Sequence, residues 1–177
     1  MSADQPPADR PPSAADDAPQ RTLITSRAEL QAAVSQTIAV ASRQVLCVHS
    51  DLSLFDLSRR EVVDMLAKFL LAHRSARARL LVDDSGWLDT RAARLRGLQR
   101  RFPLVLEMRV ASLDDPVGDD ATLIADDANV LDMRPTTQAR GDLWLNNKPH
   151  AQPLIAAFNR RWDAAAHNLP VVPLGLG

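Results

Sequence analysis

Carboxylates are concentrated in one stretch of this chain. Asp119 and Asp120 are followed by Asp126, Asp127 and Asp132 within thirteen residues. Such a density suggests a hard cation held by oxygen ligands, as Mg²⁺ would be. The local pattern argues against that use. Asp126 and Asp127 are adjacent, so in an extended segment their side chains leave opposite faces. The D-x-[DN]-x-[DN]-G order of a calcium loop is also missing. No metal and no cofactor is therefore assigned.

A second group of polar residues stands where two short apolar runs end. His49-Ser50-Asp51 follows Val45-Leu-Cys-Val48, and Asp83-Asp84-Ser85 follows Leu80-Leu-Val82. Open α/β sheets bind ligands beyond the carboxyl ends of their strands, so these six residues form a candidate cleft. A hydrolase using Ser50, Asp51, Asp83 and Asp84, with or without a metal, is one reading. In the plainer reading Ser and Asp act as turn formers and helix caps. A catalytic triad made of His49, Ser50 and Asp51 is discounted, because three neighbours on one strand cannot converge. The third group is basic: Arg91, Arg94, Arg96, Arg100 and Arg101. Arg91 and Arg94 are candidate phosphate contacts. The five spread around a helical wheel and have no aromatic platform beside them, which argues against nucleic-acid binding.

These residues need a scaffold, and its elements can be read from periodicity. Ser26 and Glu29 match a capping box, and Leu30, Ala33, Val34, Ile38 and Ala41 follow at helical spacing, which predicts a helix near 27–42. The run at 45–48 reads as a buried strand. Ser58 and Glu61 suggest a second capping box before a helix bearing Val62, Leu66, Phe69 and Leu70. A strand at 80–82, a third helix near 88–101 that Pro103 ends, and a strand at 104–110 come next. Strands near 121–126 and 129–134, joined by a two-residue turn, precede an edge strand at 143–145. A final helix near 149–167 carries Leu154, Ile155, Phe158 and Trp162 inward. Strands separated by helices imply parallel crossovers, and the later hairpin adds antiparallel partners. The expected class is α/β, with a mixed, mainly parallel sheet, antiparallel edge strands and helices on both faces.

Composition sets the outer bounds. Residues 1–20 hold five prolines and four aspartates with no Ile, Leu, Val or aromatic residue, which reads as a disordered leader. Residues 21–168 form the folded domain, and 169–177 read as an extended tail. The chain of 177 residues has a formal net charge of −1, so no overall field favours nucleic acid or an acidic membrane. Its single cysteine, Cys47, excludes an internal disulfide and reads as a core residue. No apolar run reaches the ~18 residues of a membrane span, and the first twenty residues lack the regions of a secretory signal. A cytoplasmic location is the expectation.

The element order, the final helix with Phe158 and Trp162, and three stretches resemble the phospholipase D superfamily. The stretches are Val45-Leu-Cys-Val-His-Ser-Asp51, Arg79-Leu-Leu-Val-Asp83 and Leu123-Ile-Ala-Asp-Asp-Ala-Asn129. Within the superfamily the chain looks most like a bacterial group of phospholipase-D-like domains. The resemblance covers roughly residues 22–167. It implies an active motif H-x-K-x-x-x-x-D followed by a Gly-Ser pair. In that family the His attacks phosphorus, the Lys neutralises phosphoryl charge, and the Asp tunes a His.

Laid on this sequence, the motif's His falls at Asp120, its Lys at Thr122 and its Asp at Asp127. The Gly-Ser pair falls on Arg134 and Pro135. Asp127 alone matches. An anionic Asp120 would repel a phosphodiester, and Thr122 carries no compensating charge. The expectation is a catalytically inactive phospholipase-D-like domain that binds a protein or a phosphate-containing ligand. Active single-copy members dimerise, so the resemblance also implies a homodimer surface. The hydrolase built on the strand-end cluster and nucleic-acid binding through the arginine-rich helix are the alternatives.

Overall fold

The capping box at Ser26 forms as its sequence requires. Ser26 Oγ accepts the Glu29 N–H at 3.2 Å, and Glu29 reaches back to the Ser26 N–H at 3.0 Å. It starts α1 (Arg27–Ala39), which buries Leu30, Ala33, Val34 and Ile38. The computed structural model describes residues 18–135, 138–165 and 168–171. Most of the leader, the tail beyond Val171, and His167 lie outside the described residues.

In chain order, β1 (Gln20–Ile24) and α1 are followed by β2 (Gln44–Val48), α2 (Arg60–Ala72) and β3 (Arg77–Val82). Next come α3 (Gly86–Thr90), α4 (Ala93–Arg101), β4 (Leu106–Val110), β5 (Ala121–Ala125), β6 (Asn129–Met133), β7 (Gly141–Leu145) and α5 (Lys148–Ala164). All seven strands join one sheet in the order β1-β7-β6-β5-β2-β3-β4. The fold is α/β with a mixed sheet. Strands β2, β3 and β4 run parallel, whereas β5 pairs antiparallel with β2 and leads into the antiparallel set β6, β7 and β1.

The antiparallel share is larger than the sequence suggests, for two reasons. One is β1, whose residues are almost all exposed and show no apolar alternation to mark a strand. The other is that β5 is itself the central strand, paired directly with β2, instead of lying at an edge.

Helices cover both faces. One core packs α1, α2 and α4 against Val45, Cys47, Leu80, Leu106, Leu123 and Leu131. The opposite core packs Ala151, Phe158 and Trp162 of α5 against Leu46, Leu81, Ile124 and Val130. Alternation along each strand divides the apolar residues between these two cores.

Three local expectations change. The helix expected over 88–101 is two helices, broken at Arg91 and Ala92, where the backbone leaves helical values. Neither glycine nor proline marks the break, and Leu88, Ala92, Leu95 and Leu98 remain buried across it. Ser58 and Glu61 do not form a capping box. The N-cap is Arg59, with no side-chain bond, and buried Ser58 instead faces the Leu95 N–H at 3.4 Å. The β5–β6 connection spans residues 126–128, not two residues, with Asp126 in the left-handed region at φ 57°.

Candidate functional site

A cleft of about 520 Å³ opens at the carboxyl end of β2. Its wall combines the start of α1 (Ser26, Arg27), the end of β2 (His49, Ser50), the approach to β5 (Asp119, Asp120) and the exit of β6 (Arg134). An adjoining cavity of about 590 Å³ shares Arg27, His49 and Leu54 and adds Ser53, Asp56, Trp87 and Arg91. Of the six strand-end candidates, His49 and Ser50 line the cleft at the end of β2, and Asp120 joins them.

The other strand-end carboxylates are occupied as turn and loop anchors. Asp83 accepts the Val117 N–H at 2.7 Å and the Gly118 N–H at 2.9 Å, fixing the loop that leads to β5. Asp84 accepts the Gly86 N–H at 2.8 Å, and Ser85 donates to Asp89 at 2.9 Å. Asp51 accepts from the Ser53 N–H and hydroxyl at 2.9 and 2.7 Å. Asp83 and Asp84 donate their N–H groups to the Ser50 carbonyl at 2.8 and 2.9 Å, so the two strand ends meet, while the carboxylates bond to separate backbone segments. Among the described residues, no three His, Cys, Asp or Glu side chains meet as a metal site requires.

His49 is held by its own loop. Its Nδ1 accepts N–H groups of Leu52 at 3.0 Å and of Asp51 at 3.3 Å. An acceptor nitrogen carries no proton, so the Asp51 oxygen 3.1 Å away makes no ion pair in this state. Burial pulls the His49 pKa below its ordinary value, outweighing the pull of Asp51, in keeping with a neutral ring. The same bond secures Leu52, a fully buried residue at φ 67°. A bulky residue in that region is strained and persists only where its surroundings hold it.

The positions that the motif alignment singles out are separated by the sheet. Asp120 and Thr122 stand at the start of β5 and project toward α5. Asp120 is paired with Arg161 of α5 at 2.5 Å, and Arg161 also reaches Asp115 at 3.2 Å. Thr122 is buried, with its hydroxyl 3.5 Å from Asp132. Burial raises the pKa of the Asp132 carboxyl, and the neighbouring charges of Asp120 and Asp142 add to that rise against His150. Asp127 follows β5 at its other end, a strand length of ~17 Å away. It pairs there with Arg43 and Lys148, each at 3.2 Å.

Arg91 faces the adjoining cavity, whereas Arg94 lies exposed on α4. Cys47 is fully buried, and that burial pushes its thiol pKa up, so it is no nucleophile. Sequence reasoning missed Arg27 as a cleft residue. The only signal was its place just after the Ser26 cap, where a first-turn side chain overlooks the strand ends.

The family model described as "Domain of unknown function (DUF7931)" matches residues 26–170. The chain belongs to that family. No curated protein matches this DUF7931 chain. Among solved structures, its fold is similar to that of Nuc, a phospholipase D family member from Salmonella typhimurium. The TM-score is 0.66 at 14% identity, over 86% of this chain and 99% of Nuc. NucT from Helicobacter pylori gives 0.59 at 12% identity, over 84% and 99% of the two chains. TrmBL2, an archaeal chromatin protein, gives 0.59 at 13% identity, over 82% of this chain and 53% of that one. At these identities the likeness is one of fold. This DUF7931 domain has a phospholipase-D-like fold. Among the described residues, no helix is long and apolar enough to cross a membrane.

Proposed function

We propose that this domain is a phospholipase-D-like scaffold that binds a ligand without cleaving phosphodiesters. The observation that carries the reading is the Asp120–Arg161 pair. At the position where the resemblance puts a nucleophilic histidine, an anionic carboxylate is locked to a helix arginine. Two further features support it. Thr122 is buried and uncharged where a cation is required, and Asp127 lies at the far end of β5.

The ligand is a phosphate-bearing group seated between Arg27 and Arg91. Both line the cavity beside His49, and neither guanidinium carries an ion pair among the described residues. Arginine suits such a group because its planar fork matches phosphate oxygens.

The test has two arms. The purified chain is offered bis(p-nitrophenyl) phosphate, and turnover is expected to equal that of buffer. Glycerol 3-phosphate is then titrated calorimetrically, with binding expected in the parent chain and lost in Arg27→Ala/Arg91→Ala. Hydrolysis abolished by Asp127→Ala or His49→Ala would overturn the non-catalytic reading. Binding that ignores Arg27 and Arg91 would overturn the ligand site.

A further inference from the structure

The α5 side of the sheet is only partly covered. Helix α5 packs on Leu46, Leu81, Ile124 and Val130, so on β3 it covers the carboxyl end of the strand. Register puts Arg77, Arg79, Glu107 and Arg109 on the same face as Leu81, because Arg79 pairs with Glu107 and Leu81 with Arg109 across the parallel strands, and Arg109 is held there by the Trp162 carbonyl at 2.9 Å and Asn168 at 3.0 Å. Trp162 forms the margin. The Arg79 and Arg109 guanidiniums lie over its ring, 5.5 and 4.4 Å from the centroid.

Beside this ladder, Arg43, Gln44, Ser75, Arg77, Arg79 and Asp127 line a cavity of about 370 Å³. It sits at the amino ends of β2 and β3, at the opposite end of the sheet from the cleft of His49 and Asp120.

Charge in this cavity is unbalanced. Three arginines face one carboxylate, and Asp127 already shares its oxygens with Arg43 and with Lys148 outside the lining. Arg79 Nε is buried and makes no hydrogen bond. The nearest carboxylate oxygen, on Glu107, is 3.9 Å away, beyond hydrogen-bond reach. A buried donor without an acceptor costs free energy, which a bound anion would recover.

From this we infer that the cavity binds a phosphoryl group, through Arg43, Arg77 and Arg79 with the Ser75 hydroxyl as a further donor. Three guanidiniums arriving from a loop and two strand positions call for an anion with at least three acceptor oxygens. A phosphate provides these, and a carboxylate has only two. The site is independent of the Arg27–Arg91 reading and shares no residue with it.

The whole chain is titrated in low-salt chloride buffer with inorganic pyrophosphate, and separately tested for flotation with phosphatidylcholine vesicles containing phosphatidic acid. Binding to pyrophosphate identifies a soluble phosphate ester as the ligand, and binding to the vesicles alone identifies a lipid headgroup. Either supports the site if Arg77→Ala/Arg79→Ala weakens it by roughly tenfold or more, the scale of losing a charge-assisted hydrogen bond. Asp127→Asn, which removes the competing carboxylate at a half-buried turn position, is expected to tighten binding several-fold, so one variant reads as a gain. Arg27→Ala/Arg91→Ala leaves it unchanged. Binding to neither probe overturns the proposal, as does binding that Arg77→Ala/Arg79→Ala leaves intact or that Asp127→Asn fails to strengthen.

Discussion

Replacing Asp126 with alanine is expected to cost this domain about 4 kcal/mol, and the figure follows from what the carboxylate holds. Asp126 is buried beneath the α1–β2 connection. It accepts the Arg43 N–H at 2.7 Å, the Gln44 N–H at 3.0 Å, and the Ser42 N–H and hydroxyl at 3.0 and 2.9 Å. Hydrogen bonds to a charged acceptor contribute roughly 1.5–3 kcal/mol each, but four on one group do not add, and water replaces some of them, so about 3 kcal/mol is the expected sum. Alanine at φ 57° adds about 1 kcal/mol of backbone strain. Glycine relieves that strain, so Asp126→Gly should cost about 3 kcal/mol. Urea unfolding followed by circular dichroism reads both values.

Burial alone would raise the Asp126 pKa, but the donors of Gln44, Arg43 and Ser42 together lower it. A carboxylate with a lowered folded pKa stabilises above its unfolded value and loses that contribution as pH falls through the folded one. The gap between parent and Asp126→Asn should therefore shrink below the ordinary carboxylate range. A loss under about 1 kcal/mol in both Asp126→Ala and Asp126→Gly would refute the account, since it would mean that the loop does not depend on the carboxylate.

Three further outcomes are expected. Phe158→Ala empties the core beneath α5, where the ring is buried and stacks on Trp162 at 5.5 Å, and should lower stability by about 3–5 kcal/mol in the same unfolding assay. Gly141→Ala would drive a methyl group into the Asp132 carbonyl and Met133, so it should cost about 1–3 kcal/mol and lower the melting temperature. Hydrogen bonding from Arg21, aided by the charges of Arg21 and Arg134, lowers the Asp142 pKa. Asp142→Asn should thus be destabilising at neutral pH, with the difference vanishing in denaturation curves as pH falls through the folded pKa.

The parts of this fold legible in the sequence are those whose signal is local. The Ser26–Glu29 box, the run Val45–Val48 and the inward stripe of α5 each combine residue type with spacing, and each forms. What escaped was set by distant partners. Strand β1 has no pattern of its own and exists because β7 offers it an edge. Ser58 matches a cap, yet it is buried against α4, and packing overrides the local pattern. In the candidate site, the strand-end residues were visible as a group, but their division was not. Asp83 serves a loop that arrives from more than thirty residues away, while His49 and Ser50 remain in the cleft. Net charge misled in a similar way. A value of −1 suggests no field, yet Arg43, Arg77 and Arg79 gather at one end of the sheet.

The pairing of β1 with β7 bears on how the chain reaches its native state. Arg21 and Asp142, joined across that pair, are 121 residues apart in sequence. Closing a loop of that size gains nothing until the strands between are in place, so β1 is expected to dock late. Until it does, β7 presents unpaired N–H and C=O groups, a template for another copy of the chain. A chain beginning at Thr25 would keep the Ser26 cap and the whole family segment and leave that edge open permanently. Such a fragment should self-associate during refolding at concentrations where the full chain does not.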